Sequence, residues 1–315
     1  MFHFLAKCRR VSTHSKNFLN DLETQEAIRF ILNNPKETFV PWVKEKFPLG
    51  DNLIYLIGKL RQQQKWDQIT SILPLVNREN CQNLKLYLSL VSMFKKVEVS
   101  KDFSEHFLDL VARAKDHLSL RELSECFRCL KYLNLTTKEK FSVIDLLSAR
   151  ILINIPNFTS IDKSYIIEGI SLLPCESTSR IFEGFVKDSK VKSIGELSTL
   201  CSYLSINRNK EFFYLFEEFE RELMKDRAEN KFVLNQAIHG FSKVGLGSKE
   251  LLRYFIEKVW QGKDEIDGFS TGVILCCLIK DPRIDSEDRE RIRSIFESKK
   301  ADMREKHLRI IREHL

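Results

Sequence analysis

The sequence contains few groups of residues that could perform chemistry. Cys126 and Cys129 have the Cys-x-x-Cys spacing of half a zinc site or of a thiol-exchange motif. A structural zinc site needs a second pair of ligands at suitable spacing, and the sequence offers none. Cys126 also falls on a position that a helix would turn toward the core. We therefore interpret both thiols as packed core residues.

Other candidate motifs are incomplete. The segment Gly245-Leu-Gly-Ser248 lacks the following lysine and the preceding strand of a phosphate-binding loop, and it is typical of a turn between two helices. His106, His117 and His239 have no partner at metal-ligand spacing, which favours packed or solvated imidazoles. Gly-x-Ser-x-Gly, His-Glu-x-x-His and EF-hand spacings do not occur. We therefore predict a non-catalytic protein with no metal, cofactor or small-molecule substrate.

The composition favours a helical globular protein. The chain has 315 residues, of which 43% are hydrophobic and 30% charged, and these values exclude a disordered chain, a collagen and a membrane-embedded bundle. Only 11 Gly and 7 Pro are present, fewer than the many turns of sandwiches, barrels and doubly wound sheets would need. The longest apolar window, 273–279, is too short to cross a bilayer. The 8 scattered cysteines indicate reduced thiols in a reducing compartment.

Basic residues are unevenly distributed. The chain carries 51 Lys and Arg against 44 Asp and Glu, and residues 1–20 hold four of the cations and no carboxylate. That segment is typical of a mitochondrial presequence, although a basic N-terminus without a targeting role has the same composition. Without those four cations, the surplus of positive charge falls from 7 to 3. Net charge alone therefore does not indicate a nucleic-acid-binding protein.

A helical pattern recurs along the chain. Apolar or small residues fill the offsets 0, +3, +4 and +7, which share one face of a helix, at seven places. Their first members are Leu53, Leu86, Leu123, Ile166, Leu197, Leu234 and Thr271. Successive first members are on average about 36 residues apart, which is the length of a helix-turn-helix repeat.

A second amphipathic stretch follows each of the first six stripes after a short polar turn. These stretches are 66–73, 103–110, 141–147, 181–186, 212–219 and 251–259. We predict an all-α fold, a right-handed α-solenoid of about seven repeats over residues 21–284. Stretches 27–32 and 39–47 are predicted to form a divergent N-terminal unit. Residues 285–315 are predicted to form a charged helical tail that either caps the solenoid or docks on a partner.

Two of these units resemble known organellar repeats. Segments 122–141 (ELSECFRCLKYLNLTTKEKF) and 234–252 (LNQAIHGFSKVGLGSKELL) resemble the helical repeats of heptatricopeptide proteins and of the FAST-kinase-domain-containing family. Segment 52–76 is similar to a pentatricopeptide unit. The resemblance covers residues 50–280 and implies an organellar RNA-associated protein. Many relatives end in a RAP domain with strands, whereas residues 285–315 have a helical pattern, so no RAP activity is implied.

Five basic residues suggest where RNA could bind. Each lies 8 or 9 positions after the first apolar residue of its repeat, and the set is Arg61, Lys95, Lys131, Lys243 and Lys280. Stacked repeats would align these cations into a ladder able to follow a phosphate backbone. A cation near a helix C-terminus is also favoured by the helix dipole, whatever the protein binds. The ladder is interrupted at Pro174 and Asn207.

Two functions fit this sequence. The first is a non-catalytic protein of the mitochondrial matrix that binds RNA, either rRNA or mRNA, and proteins within the mitochondrial ribosome or its assembly or RNA-processing machinery. The second is a protein-only scaffold or accessory subunit of a respiratory or ATP-synthase complex. The near-neutral charge of the chain after residue 20 and its charged helical tail would suit the second function equally well.

Overall fold

The computed structural model describes residues 21–48, 50–77, 81, 83–90, 97, 99–188, 192–226, 231–262 and 268–315. These residues form seventeen α-helices and their connections, and they contain no strand. The all-α prediction is therefore confirmed for this part of the chain. The predicted presequence, residues 1–20, lies outside it, as does Lys95.

The chain divides into two compact units, one ending at Leu146 and the other beginning at Leu147. Helices of the first unit are α1 (Asp21–Asn33), α2 (Lys36–Lys46), α3 (Gly50–Gln62), α4 (Trp66–Ile72), α5 (Leu84–Ser89), α6 (Lys101–Ala114) and α7 (Leu120–Cys129). Helix α8 (Thr137–Asn154) contains the boundary.

The second unit continues with nine helices. They are α9 (Ser160–Ile170), α10 (Glu176–Lys187), α11 (Ile194–Asn207), α12 (Tyr214–Asp226), α13 (Lys231–Val244), α14 (Lys249–Gln261), α15 (Gly268–Leu278), α16 (Ser286–Lys299) and α17 (Glu305–His314). No helix in the described residues is both long enough and apolar enough to span a bilayer.

The predicted stripes coincide with observed helices. The first members of the seven stripes lie on α3, α5, α7, α9, α11, α13 and α15, and the second stretches overlap α4, α6, α8, α10, α12 and α14. The second stripe continues beyond Leu90 into residues outside the described part of the chain. One boundary differs: Phe212 belongs to a short 3-10 turn, and α12 begins at Tyr214. The cause is local, because Arg208 takes a left-handed conformation (φ 54°) that ends α11 and redirects the chain.

Hydroxyl and carboxylate caps begin many of the helices. Ser119, Thr159 and Ser193 each accept from a backbone N–H three residues on, and the acidic side chain at that third position accepts from the cap's own N–H. Ser248 caps α14 after Gly245 and Gly247, which both have positive φ. Each such cap contributes about 1 kcal/mol and fixes where its helix starts. The predicted turn at 245–248 is confirmed.

Helices pack against the next helix but one in both units. In the first unit, α1, α3, α5 and α7 form one row, and α2 packs on α4. In the second unit, α9, α11, α13, α15 and α17 form a row, and α14 packs on α16. The apolar stripes, including Leu197, Leu234 and Leu275, are buried between neighbours. Burial of each such side chain contributes about 1.5–3 kcal/mol.

The second unit has a regular repeat length. Helices α11 and α17 begin at Ile194 and Glu305, 111 residues apart, which is three steps of 37 residues. Helices α14 and α16 begin at Lys249 and Ser286, again 37 residues apart. The charged segment after residue 284 therefore continues the same spacing, and its Ile292, Ile295 and Ile311 are buried.

Small residues allow helices in this row to approach closely. A Cβ atom built on Gly268 would lie 2.6 Å from the backbone oxygen of Asp302, and one on Gly272 would lie 2.6 Å from Nδ1 of His307. Cys276, one turn further along α15, lies with its Sγ 3.8 Å from the backbone oxygen of His307. This face of α15 therefore holds the 3-10 turn before α17 and α17 itself.

The corresponding face of α17 has a different character. The residues 37 positions after Gly268, Gly272 and Cys276 are Glu305, Arg309 and Glu313, and all three are exposed. Arg309 Nε lies 3.8 Å from a carboxylate oxygen of Glu313. Glu305, Arg309 and Glu313 thus form a charged, solvated ridge on α17, where α15 has small residues.

A buried ionic cluster joins α9, α10 and α11. Lys163 Nζ lies 2.6 Å from Oδ2 of Asp188 and 3.3 Å from Oε1 of Glu196, and each of the three side chains is less than 10% exposed. Burial opposes ionisation of Glu196, but the Ser193 N–H and the charge of Lys163 together hold the pKa of that carboxyl below its usual value. Asp188 ends α10, where the helix dipole disfavours an anion, and Lys163 offsets this cost.

Replacing Gly272 with alanine tests the close approach of α15 and α17. We expect Gly272→Ala to lower the free energy of unfolding by about 1–3 kcal/mol, because the new methyl group displaces His307. Gly58→Ala in α3 is the matched control, since a Cβ there meets nothing within 4 Å. Removing glycine from that open helix should raise stability by roughly 0.5–1 kcal/mol. Thermal unfolding followed by circular dichroism measures both, and equal shifts of the same sign would contradict the interpretation.

Candidate nucleic-acid interface

Two residues of the predicted cationic ladder lie in the first unit. Arg61 occupies the last turn of α3 and is exposed. Lys131 follows α7 by two residues and is half-buried, with its Nζ 4.9 Å from the centre of the Tyr132 ring. Both therefore stand at the C-terminal end of a first helix, as the sequence predicts.

Two further ladder residues lie in the second unit. Lys243 is in the last turn of α13, and Lys280 is in the turn directly after α15. They are 37 residues apart and occupy equivalent positions of successive repeats. Both are exposed, and neither forms an ion pair with any residue that the structure describes.

Arg283 connects the turn that follows α13 to the turn that follows α15. Its guanidinium donates to the backbone oxygens of Leu246 and Gly247 in the turn after α13, and the Leu246 bond is 3.2 Å long. The same guanidinium donates to both carboxylate oxygens of Asp281, at 2.8 and 2.6 Å. Arg283 therefore fixes the turn after α13 against the turn after α15. Lys243 lies at the end of α13, just before the first of these turns, and Lys280 lies in the second.

The charges of this arginine and its carboxylate partner compensate each other. The hydrogen bond from Arg283 holds the pKa of Asp281 below its usual value, and the same bond raises the pKa of Arg283. Asp281 is only 8% exposed, so its carboxylate offers little to a ligand. Lys243 and Lys280 are therefore exposed beside a compensated ion pair, and the carboxylate of Glu220 also lies at the first of these turns, where it accepts from the Ser248 N–H at 3.1 Å.

Sequence reasoning missed one cation. Nine positions after Leu197, the ladder offset in α11 falls on Ile206, and the sequence analysis places the interruption at the next residue, Asn207. In the structure Arg208 caps α11 in a left-handed conformation and is exposed, without an ion pair among the described residues. Arg208 lies two residues after Ile206, beyond the end of the helix, where a helical pattern does not predict the direction of a side chain.

Helix-dipole stabilisation does not explain these lysines completely. Lys187 and Lys225 also occupy last turns, in α10 and α12, and each is within 3.4 Å of a glutamate one turn away. In the part of the chain that the structure describes, Lys243 and Lys280 have no such carboxylate. Cations that are exposed and uncompensated on adjacent turns can bind phosphate groups, because they release condensed counterions when they do so.

The other chemical candidates are packed residues. Cys126 and Cys129 are completely buried in α7, and burial raises the pKa of both thiols. The His106 ring lies in the core with Nε2 2.6 Å from the backbone oxygen of Cys81. Among the described residues, no three His, Cys, Asp or Glu side chains are grouped so that they could hold a metal ion.

Comparison with known proteins adds no family assignment. No protein-family model matches the chain, and no curated protein matches it in sequence.

Replacing Arg283 tests its role in fixing the two turns. We expect Arg283→Met to lower the free energy of unfolding by about 1–3 kcal/mol at neutral pH, because Asp281 keeps a buried charge without its partner. Arg291→Met is the control, since Arg291 pairs with the exposed Glu257 and Glu287 and should cost less than about 1 kcal/mol.

The effect of Arg283→Met should depend on pH. The pKa of Asp281 is lowered in the folded protein. Its pairing with Arg283 therefore stabilises the fold fully at pH values above the ordinary pKa of 3.8, and this stabilisation is lost as the pH falls through the folded pKa. Urea unfolding at a series of pH values should show the difference from wild type shrinking below pH 3.8. A difference that is constant with pH would mean that packing alone is responsible.

Proposed function

We propose that this protein is a non-catalytic RNA-binding helical-repeat protein of the mitochondrial matrix. It acts within the mitochondrial ribosome or its assembly or RNA-processing machinery. Its helical pairs form right-handed α-solenoid modules, and it contacts RNA through phosphate groups and neighbouring proteins through helical faces.

The observation that carries the RNA proposal is the placement of Lys243 and Lys280. They occupy equivalent positions of successive repeats, beside the two turns that Arg283 joins, and both are exposed without an ion pair in the described chain. Arg208 is a further exposed cation at the end of α11, without an ion pair among the described residues. A row of cations one repeat apart suits a charged polymer better than it suits a compact ligand.

The mitochondrial part of the proposal rests on the sequence. Residues 1–20 are basic, contain serine and threonine, and have no carboxylate, as in import presequences. The resemblance of segments 122–141 and 234–252 to organellar repeats supports the same location.

The second candidate is a protein-only scaffold in a respiratory or ATP-synthase complex. One observation favours it: the ladder position of α11 is the exposed Ile206 rather than a cation. An apolar residue contributes nothing to phosphate binding, and it suits contact with another protein.

RNA binding by the two lysines can be measured on the full-length protein. We expect Lys243→Glu with Lys280→Glu to weaken binding of a labelled single-stranded RNA at least about tenfold at ~0.1 M salt. The slope of log affinity against log salt should also fall by roughly 0.7 for each lysine lost. Fluorescence anisotropy over a salt series gives both quantities.

The matched control for this experiment reverses two other lysines. Lys187→Glu with Lys225→Glu changes the net charge equally and also acts in the last turns of two helices, α10 and α12. RNA affinity should then fall less than about threefold, because these lysines are not on the row. Equal losses in the two double variants would show that binding depends on net charge and not on this row.

Fractionation distinguishes the two candidate functions. We expect the protein in a mitochondrial lysate to sediment with ribosomal particles and to be released by ribonuclease or by high salt, because its contacts include phosphates. Migration with a membrane-extracted complex, unchanged by ribonuclease, would favour the scaffold instead. Gradient sedimentation with immunodetection is the measurement.

A further inference from the structure

One histidine lies beside Lys243, the first of the two lysines proposed to bind RNA. His239 and Lys243 are four residues apart in α13, so their side chains share one face of the helix and are separated by a single turn. Both are exposed. His239 forms no hydrogen bond and no ion pair with any residue that the structure describes. Its ring nitrogens are therefore accessible to a ligand that reaches Lys243.

The second layer of helices lies on the opposite side of α13. Phe216 and Phe219 of α12 and Phe255 of α14 have ring centres 5.1, 5.8 and 6.1 Å from that of Phe241. Phe241 is two residues after His239, and two residues of a helix correspond to a rotation of about 200° around its axis. His239 therefore faces away from the charged residues of α12 and α14.

The helices on either side of α13 in the row also offer no free charge to this ring. Helix α11 packs on one side and α15 on the other. The titratable side chains of these two helices are Glu196, Cys201, Tyr203, Cys276 and Cys277. Glu196 is paired with the buried Lys163, and Cys201 and Tyr203 are buried. Both thiols of α15 interact with the charge of Lys280.

The charge that acts on the ring comes from Lys243. Partial burial and the positive charge of Lys243 both lower the pKa of the His239 imidazole from its ordinary value of 6.5. In the next repeat Cys276 and Lys280 have the same spacing of four residues, and the charge of Lys280 acts on the Cys276 thiol. The His239 ring is therefore mostly neutral at pH 7 in the free protein.

A phosphate bound at Lys243 would reverse this effect. Its negative charge offsets the charge of the lysine, and its oxygen atoms accept a charge-assisted hydrogen bond from a protonated imidazole N–H. A protonated His239 then contacts the phosphate more favourably than a neutral one does. The proton comes from the solvent.

We infer that His239 is a further phosphate-binding residue of the RNA surface, and that it makes RNA affinity increase as the pH falls. The inference rests on the proposed function, because it takes the ligand of Lys243 to be RNA.

The direction of the pH dependence follows from linkage. Above the pKa of His239 in the complex, the ring is neutral in both states and contributes no charge to binding. Below its pKa in the free protein, the ring is charged in both states and its full contribution is present. Between these two values RNA binding takes up a proton, so the affinity rises as the pH falls.

Variants at position 239 of the full-length protein test this inference. The probe is a rhodamine-labelled oligouridylate of about 15 nucleotides, since uracil has no basic nitrogen that titrates near neutral pH. Between about pH 7.5 and about pH 5.5, we expect wild-type affinity to rise at least threefold more than that of His239→Gln. His239→Lys, with a permanent charge, should bind at least threefold more tightly than wild type at about pH 7.5. Fluorescence anisotropy at constant salt gives the affinities.

Two further measurements make the result specific. His117→Gln removes an exposed histidine of the first unit and should keep the pH dependence of wild type within twofold. Nuclear magnetic resonance of the His239 ring should show that its pKa rises when the oligouridylate is added. Circular dichroism at each pH checks that the variants are folded.

The outcomes separate this inference from the proposed function. Equal pH dependence in wild type and His239→Gln, an equal loss in His117→Gln, or a pKa of His239 unchanged by RNA would overturn the inference. If Lys243→Glu with Lys280→Glu still weakens RNA binding in that case, the proposed function stands without it. No RNA binding by any form at any of these pH values would overturn both.

Discussion

The structure depends on burial of one helix of each repeat between its neighbours in the same row. In the second unit, α11 packs on α9 and α13, and α15 packs on α13 and α17. Each helix of this row therefore packs against helices of neighbouring repeats. The contact must therefore be made between repeats, and its geometry determines where every turn and every exposed cation lies.

Close packing between helices restricts which residues can occupy their facing sides. Ser198 of α11 donates to Oε1 of Gln236 on α13 at 2.7 Å, and Thr199 donates to Oγ of Ser164 on α9 at 3.2 Å. Farther along the row the facing residues are Gly272 and Cys276. Small and short polar side chains let the helices approach without voids, and the hydrogen bonds fix the offset of one helix against the next.

Sequence periodicity predicted the helices well because their stripes are long and regular. The order of first and second helices was recoverable from apolar spacing alone, and Ser248 could be identified as a cap from its type and position. The buried Lys163 was not predicted, since its partners Asp188 and Glu196 are distant in sequence and belong to other helices. Ion pairs of this kind depend on tertiary packing and have no local signal.

The candidate site was predicted only in part. Lys243 and Lys280 were identified from their offset within the repeat, and the structure adds that their turns are adjacent. Arg283 was not recognised, because its role depends on backbone oxygens in the preceding repeat. Arg208 was missed since the backbone turns at that residue, beyond the reach of a helical pattern. Periodicity therefore predicts which residues share a face, whereas turns must be observed.

The charged ridge of Glu305, Arg309 and Glu313 on α17 affects self-association. If α17 presented glycines and cysteine as α15 does, the start of another copy's row could dock there, and each added copy would offer the same face again. Such head-to-tail contacts do not close and produce filaments of indefinite length. Because these ions would lose their hydration on burial, such a contact on this face of α17 is unfavourable.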